Sequence, residues 1–101
     1  MSQLHLIQTQ FNLADFSRLH ARLANKNDNL LFLNDGILSL LSVEFNSTQF
    51  KEITAESSIL VLKEQLEARA IDKVIDNELI KNISYEEFVD YSLKSKKMVS
   101  W

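Results

Sequence analysis

Leu30-Leu31-Phe32-Leu33-Asn34-Asp35-Gly36-Ile37 decides the fold: an apolar run passes directly into a polar turn that carries the only glycine of the chain. Four consecutive apolar residues predict a strand buried on both faces, as in a parallel sheet covered by helices. The Asn34-Asp35-Gly36 turn then lies at the carboxyl end of that strand, where open α/β sheets place their working surface. Upstream, Leu4-His5-Leu6-Ile7 reads as a short first strand with Gln8-Thr9-Gln10 as its polar exit. Asn12 is placed to cap a helix whose apolar face is Leu13, Phe16, Leu19 and Leu23, and Asn25-Lys26-Asn27-Asp28 turns the chain back toward the second strand.

Downstream, Ser58-Ile59-Leu60-Val61-Leu62 is a third strand and Lys63 to Ala70 a run of strong helix formers. Glu78 to Ile83 is a weaker fourth strand, interrupted by Lys81. Ser84 with Glu87 forms a capping-box pattern ahead of a last helix with Tyr85, Phe88, Val89 and Leu93 on its apolar side, and Met98 to Trp101 supplies an edge strand. Strands alternating with helices predict an α/β fold, a mainly parallel sheet of four to five strands flanked by helices with right-handed crossovers, in one domain over residues 1–101.

The segment Ile37-Leu38-Ser39-Leu40-Leu41-Ser42-Val43 reads as a short helix that is apolar around most of its circumference, more than one sheet can cover. Two readings stay open. Its outer side packs on another protein chain, since monomers seldom expose contiguous apolar patches, or the following segment, with Phe45, Phe50 and Ile53, folds back over it.

Composition removes whole classes of chemistry. The 101 residues are 46% hydrophobic and 25% charged, ordinary for a soluble domain, and no apolar run approaches the roughly 20 residues of a membrane span. The opening Met1-Ser2-Gln3-Leu4-His5 lacks the basic and apolar regions of an export signal, so a cytoplasmic location is expected. A net charge of −3 offers no general attraction for nucleic acid, and Lys94, Lys96 and Lys97 read best as cations complementing the end of the last helix. With one glycine there is no P-loop or dinucleotide fingerprint, and no cofactor is expected.

His5 and His20 are the only histidines, and neither has a close-spaced carboxylate or thiol to make a metal site. His20, four residues after Phe16, reads as a packing histidine rather than a catalytic base, and Asp35 beside Gly36 as a turn former. Glu86 and Glu87 suit a helix's first turn. No catalytic residue is assigned, and zero cysteines mean that thiol-based persulfide or acyl transfer cannot run on this polypeptide.

In order and spacing these segments resemble the DsrH/TusB family of small sulfur-relay proteins over nearly the whole chain. The resemblance rests on Leu4-His5, on Leu30 through Ile37 with its Asp-Gly turn, on Leu62 through Glu64 to Ala68-Arg69, on Tyr85 with Phe88-Val89, and on Trp101. It implies a DsrE/DsrF/DsrH-like domain that assembles with TusC-like and TusD-like sister subunits into a heterohexamer, a dimer of heterotrimers. It further implies that this complex passes persulfide sulfur through a TusE-like acceptor toward 2-thiolation of the tRNA wobble uridine. The sulfur-carrying cysteine of that relay belongs to the TusD-like sister. In the sulfur-oxidising DsrH branch a cysteine occurs within the first helix; here His20 stands at or near its place, which favours the TusB branch. Relatives commonly have glycine after the Ala-Arg pair where this chain has Ala70, so the third helix is expected to run on toward Ile71, and Ser95 stands where relatives often carry histidine.

The expected role is a non-catalytic structural subunit whose contact surface includes Asp35 and Gly36 at the strand end and Leu38 and Leu41 on the following helix. The isolated chain would then tend to self-associate. The rival reading is a stand-alone small-ligand-binding α/β protein or enzyme that uses His20 or Asp35 in a deep polar pocket at the strand ends.

Overall fold

The computed structural model describes residues 2–72 and 78–101. Five strands, β1 (Leu4–Ile7), β2 (Asn29–Phe32), β3 (Ser58–Leu62), β4 (Ile80–Ile83) and β5 (Met98–Ser100), form one sheet in the order β4-β3-β2-β1-β5, and every neighbouring pair is parallel. The apolar runs built the strands, the fourth starting at Ile80 rather than at Glu78, and β5 takes an edge beside β1. The second strand ends one residue early, at Phe32, because Asn34 turns the chain with a left-handed φ of 53°, a conformation its short polar side chain tolerates.

Alternation sorts the strand side chains onto two faces. Ile7, Leu30, Phe32, Ile59 and Val61 point into the larger core, which also takes Leu13 and Phe16 of α1 (Leu13–Leu23), Phe50 of α2 (Thr48–Ile53) and Leu66 of α3 (Lys63–Ala68). Leu4, Leu31, Leu60, Leu62 and Ile83 point to the other face, where Phe88 and Tyr91 of α4 (Tyr85–Lys94) pack on them. Asn12 caps α1 by accepting the Asp15 amide at 2.8 Å, and Ser84 and Glu87 close the expected capping box at the start of α4.

The segment after β2 departs from expectation. Its helix spans Asn34–Leu41 rather than residues 37–43, and it is a 3-10 helix followed by a second 3-10 turn, Val43–Asn46. With three residues per turn, side chains three apart eclipse into ridges. One ridge, Ile37 and Leu40, is buried; a second, Gly36 and Ser39, is buried against the end of β1 and the Phe11 amide, which donates to Ser39 Oγ at 2.8 Å. The segment from Glu44 does fold back: Phe45 and Phe50 are buried, and their rings lie 5.4 and 5.5 Å from that of Phe16. It leaves the third ridge outside, with Leu38 half-buried and Leu41 40% exposed, and Val43 beyond it is 87% exposed.

The third helix does not run on toward Ile71. It stops at Ala68, and Ala70 adopts φ 57° while its amide donates to the Glu67 carbonyl and the Ile71 amide to the Leu66 carbonyl, both at 3.1 Å. This is a Schellman ending in which Ile71 packs against the core that holds Leu66. The tertiary contact of Ile71 overrides alanine's aversion to the left-handed region, at a local cost of about 1 kcal/mol. Ala70→Gly is therefore expected to raise stability by roughly 0.5–1 kcal/mol in urea denaturation. An unchanged or lowered midpoint would show that the left-handed turn carries no strain.

Candidate functional site

The carboxyl ends of the strands present a hydrogen-bonded polar rim. Asn34, two residues after β2, exchanges two bonds with Gln65 of α3: its amide donates to Gln65 Oε1 at 2.7 Å, and Gln65 Nε2 donates to Asn34 Oδ1 at 3.0 Å. Asn34 Nδ2 reaches Gln8 Oε1, just beyond β1, at 3.2 Å. Asp35 projects outward, 72% exposed, and meets Arg69 at 3.4 Å, an exposed pair of the kind that contributes at most about 1 kcal/mol. Gly36 is buried beneath this rim because the backbone runs against β1: an ideal Cβ there would overlap the Ile7 carbonyl oxygen and lie 2.7 Å from its carbon. Asp35, Leu38 and Leu41 thus share one outward surface at the strand end, and Gly36 sets the depth at which their segment sits.

The histidines lie away from that rim. His5 is fully buried on β1, and its Nε2 stands 2.8 Å from Oδ2 of Asp28, which is 1% exposed and immediately precedes β2. Trp101 Nε1 is a donor only and points at His5 Nδ1 at 3.0 Å, so Nδ1 accepts and Nε2 carries the proton donated to Asp28. Asp28 also accepts the Gln3 and Asn25 amides at 2.9 and 2.8 Å and Gln3 Nε2 at 3.2 Å. Trp101 completes the lock by packing edge-on to His5 and beside Phe16, with its amide donating to the Leu6 carbonyl at 2.9 Å. Residues far apart in sequence thus tie β1, the entry to β2 and the segment after β5 together.

In the sequence Asp28 belongs to a polar turn, and no carboxylate is close-spaced to His5. The available signal was a histidine inside an apolar strand, which burial obliges to find a partner. In the parallel register, Leu4 opposite Asn29 brings the residues just before β1 and β2 side by side.

His20 is a half-buried packing residue against Phe16, at 5.8 Å between rings, and its Nε2 lies 3.2 Å from Ser57 Oγ. The Ser57 amide is committed to the Thr54 carbonyl, and among the described residues no carboxylate is hydrogen-bonded to the ring, so the pair lacks the orienting group of a nucleophile–base couple. His20 sits near the start of β3 and Asp35 beyond the end of β2; the structure does not bring them together. Among the described residues no cluster of three histidine or carboxylate groups is arranged to hold a metal. Nor is any described helix long and apolar enough to cross a membrane.

Burial alone would raise the Asp28 carboxyl, but the hydrogen bonds from the Gln3 and Asn25 amides and from His5 outweigh it and hold it below the usual carboxylate range. Burial, with the nearby His5 ring, lowers His20 below an ordinary histidine despite the opposing pull of Asp28. Both groups bind protons more weakly folded than unfolded, so each contributes stability that is complete above its unfolded pKa and is lost as pH falls toward its folded one. Denaturation midpoints are expected to drop on acidification below about pH 6.5, through His20, and again below about pH 4, through Asp28. A flat profile over both ranges would contradict these environments.

Residues 10–98 match the family described as DsrH like protein. The chain is 40% identical over 77 residues to Protein TusB of Buchnera aphidicola subsp. Schizaphis graminum, covering 75% of this chain and 77% of the relative. It is 30% identical over 87 residues to Protein TusB of Photorhabdus laumondii, covering 86% and 87%. The fold is similar to the crystal structure of ychN protein from E. coli, with a TM-score of 0.69 over the whole of both chains at 14% identity, a likeness of fold alone.

Proposed function

The chain belongs to the DsrH-like family, and from that premise we propose that it is a non-catalytic structural subunit of a sulfur-relay complex serving 2-thiolation of the tRNA wobble uridine. In this reading TusC-like and TusD-like sisters complete a heterohexamer, the sulfur travels on the cysteine of the TusD-like sister, and a TusE-like protein accepts it. The relatives named TusB support the branch, and His20 at or near the place of the DsrH-branch cysteine weighs against the sulfur-oxidation alternative.

One observation carries the structural role. The Leu38–Leu41 ridge stays outside after the segment from Glu44 has folded over the same 3-10 helix, next to a strand-end rim whose side chains hydrogen-bond one another. Such a surface contributes contact area and positioning. Burying it against a sister would hold that sister's cysteine where donor and acceptor can reach it. Asp35 at the rim is available for a partner's amides, and Gly36 fixes the ridge's height above the sheet.

Leu41→Asp places a charge at the exposed end of the ridge, and Leu38→Asp adds one at its half-buried end. Co-expressed with the sisters, the double variant is expected to lose at least tenfold in copurified sister protein, and the Leu41→Asp single variant to lose severalfold while its own melting curve stays close to that of the parent chain. Full recovery of the assembly would remove this ridge from the contact surface.

A further inference from the structure

The bond between Trp101 and His5 exists in only one protonation state of the imidazole. His5 is fully buried, its Nδ1 accepts the Trp101 indole N–H at 3.0 Å, and its Nε2 donates to Asp28 at 2.8 Å. An imidazolium carries a proton on both nitrogens. Its Nε2 side keeps Asp28, but at Nδ1 the new proton faces the indole proton, and the indole has no acceptor to offer. A cation–π contact does not replace the lost bond, because the indole turns its N–H edge toward His5, with 78° between the ring planes, and its attractive face points elsewhere. Little else holds β5. It is three residues long, Met98 and Ser100 are exposed and Val99 is half-buried, and its partner β1 is joined through the Leu4 amide to the Lys97 carbonyl at 3.0 Å and the Trp101 amide to the Leu6 carbonyl at 2.9 Å.

We propose that His5, Asp28 and Trp101 form a proton-operated latch: a proton taken from solvent at His5 Nδ1 releases Trp101, and with it β5, while Asp28 retains the imidazolium and β1 to β4 stay folded. Release turns the indole N–H to water, uncovers the Phe11 and Phe16 rings against which Trp101 packs, and leaves the Leu4 amide and Leu6 carbonyl unpaired on the open edge of β1. It is a local opening of the least anchored strand rather than loss of the fold. Asp28 can serve as the fixed partner: burial opposes its charge, yet the Gln3 and Asn25 amides and His5 hold it below the usual carboxylate range, so it is still ionised where histidines take up protons. The other titratable group facing this interior is His20 on α1, which is electrostatically coupled to both His5 and Asp28. The remaining charges of the packed elements lie outside: Arg18 and Arg22 of α1 are exposed, Asp15 is paired with Arg18, and Lys96 and Lys97 before β5 are exposed. β2 carries no charged residue. The latch needs only this chain's own contacts and does not depend on the sulfur-relay reading.

One tryptophan and two histidines make the latch readable by nuclear magnetic resonance on the unaltered chain, with one indole proton and two imidazoles to follow. The pH is lowered over the range in which histidines titrate, roughly 8 to 5. Protection of the Trp101 indole proton against solvent exchange, relative to a free indole at the same pH, is expected to fall at least tenfold in the step in which the His5 imidazole gains its second proton. The Trp101 backbone amide should lose protection with it, and the amides of β2 and β3 should keep theirs. The step is expected to persist in His20→Gln, which removes the other imidazole. An indole that stays protected beside a protonated His5 would overturn the proposal. So would a His5 that stays neutral until β2 and β3 lose protection, since acid would then unfold the protein without passing through a latch. Disappearance of the step in His20→Gln would assign the proton to His20 and overturn it as well.

Discussion

Replacing Asp28 with alanine is expected to destabilise the protein by about 3–5 kcal/mol, the range for removing one side of a buried hydrogen-bonded pair. The side chain is 1% exposed and gathers hydrogen bonds from Gln3, Asn25 and His5. Its removal strands the Gln3 amide and the His5 Nε2 proton in the interior, each at a desolvation cost of about 1–3 kcal/mol, and leaves the part-buried Asn25 amide without its acceptor. The His5 ring then loses what fixes its tautomer and its aim at Trp101, so the segment after β5 loosens too. The expected readouts are a large fall in the urea midpoint at unchanged slope and a red-shifted, more quenchable Trp101 fluorescence, informative because the chain has one tryptophan. Asp28→Asn keeps an acceptor and should lose less. A loss below about 1 kcal/mol for the alanine variant would show that water or a rearranged side chain satisfies the stranded donors, and the lock would have no energetic meaning.

Gly36→Ala is expected to act through space alone. The glycine's φ is not in the left-handed region, so backbone freedom is not what the position demands. It demands room, because a methyl group would overlap the Ile7 carbonyl, which also accepts the Leu33 amide at 3.1 Å. Either β1 or the start of the 3-10 helix must shift, at a cost of about 1–3 kcal/mol for overpacking a close-packed site, or more because both neighbours are backbone. The shift would carry Leu38 and Leu41 with it, so a lower midpoint and weaker recovery of sister subunits are expected together. A variant with the parental midpoint would contradict the close approach; one that is destabilised yet assembles fully would separate the turn from the contact surface.

What the sequence made legible was whatever depends on near neighbours. The runs Leu4–Ile7 and Ser58–Leu62 became strands with those boundaries, and the Asn12 and Ser84 caps work as their side chains predict. The 3-10 geometry after β2 was hidden because apolar residues crowd all sides of that segment. Only the fold shows that Ile37 and Leu40 form one ridge and Leu38 and Leu41 another. The end of α3 was misplaced because local preference at Ala70 yields to the packing of Ile71. At the candidate site, Asp35 and the strand end could be named from the turn alone. The Asp35–Arg69 pair spans 34 residues and the His5–Trp101 bond 96, separations across which spacing in sequence carries no geometric information.

The most direct test of the structural-subunit account is the native mass of what copurifies when this chain is co-expressed with TusC-like and TusD-like sisters and only this chain is tagged. The account predicts one stable species containing the three chains in equal ratio, with the mass of two heterotrimers. A tagged chain that elutes without the sisters, while the sisters associate with each other, would contradict it.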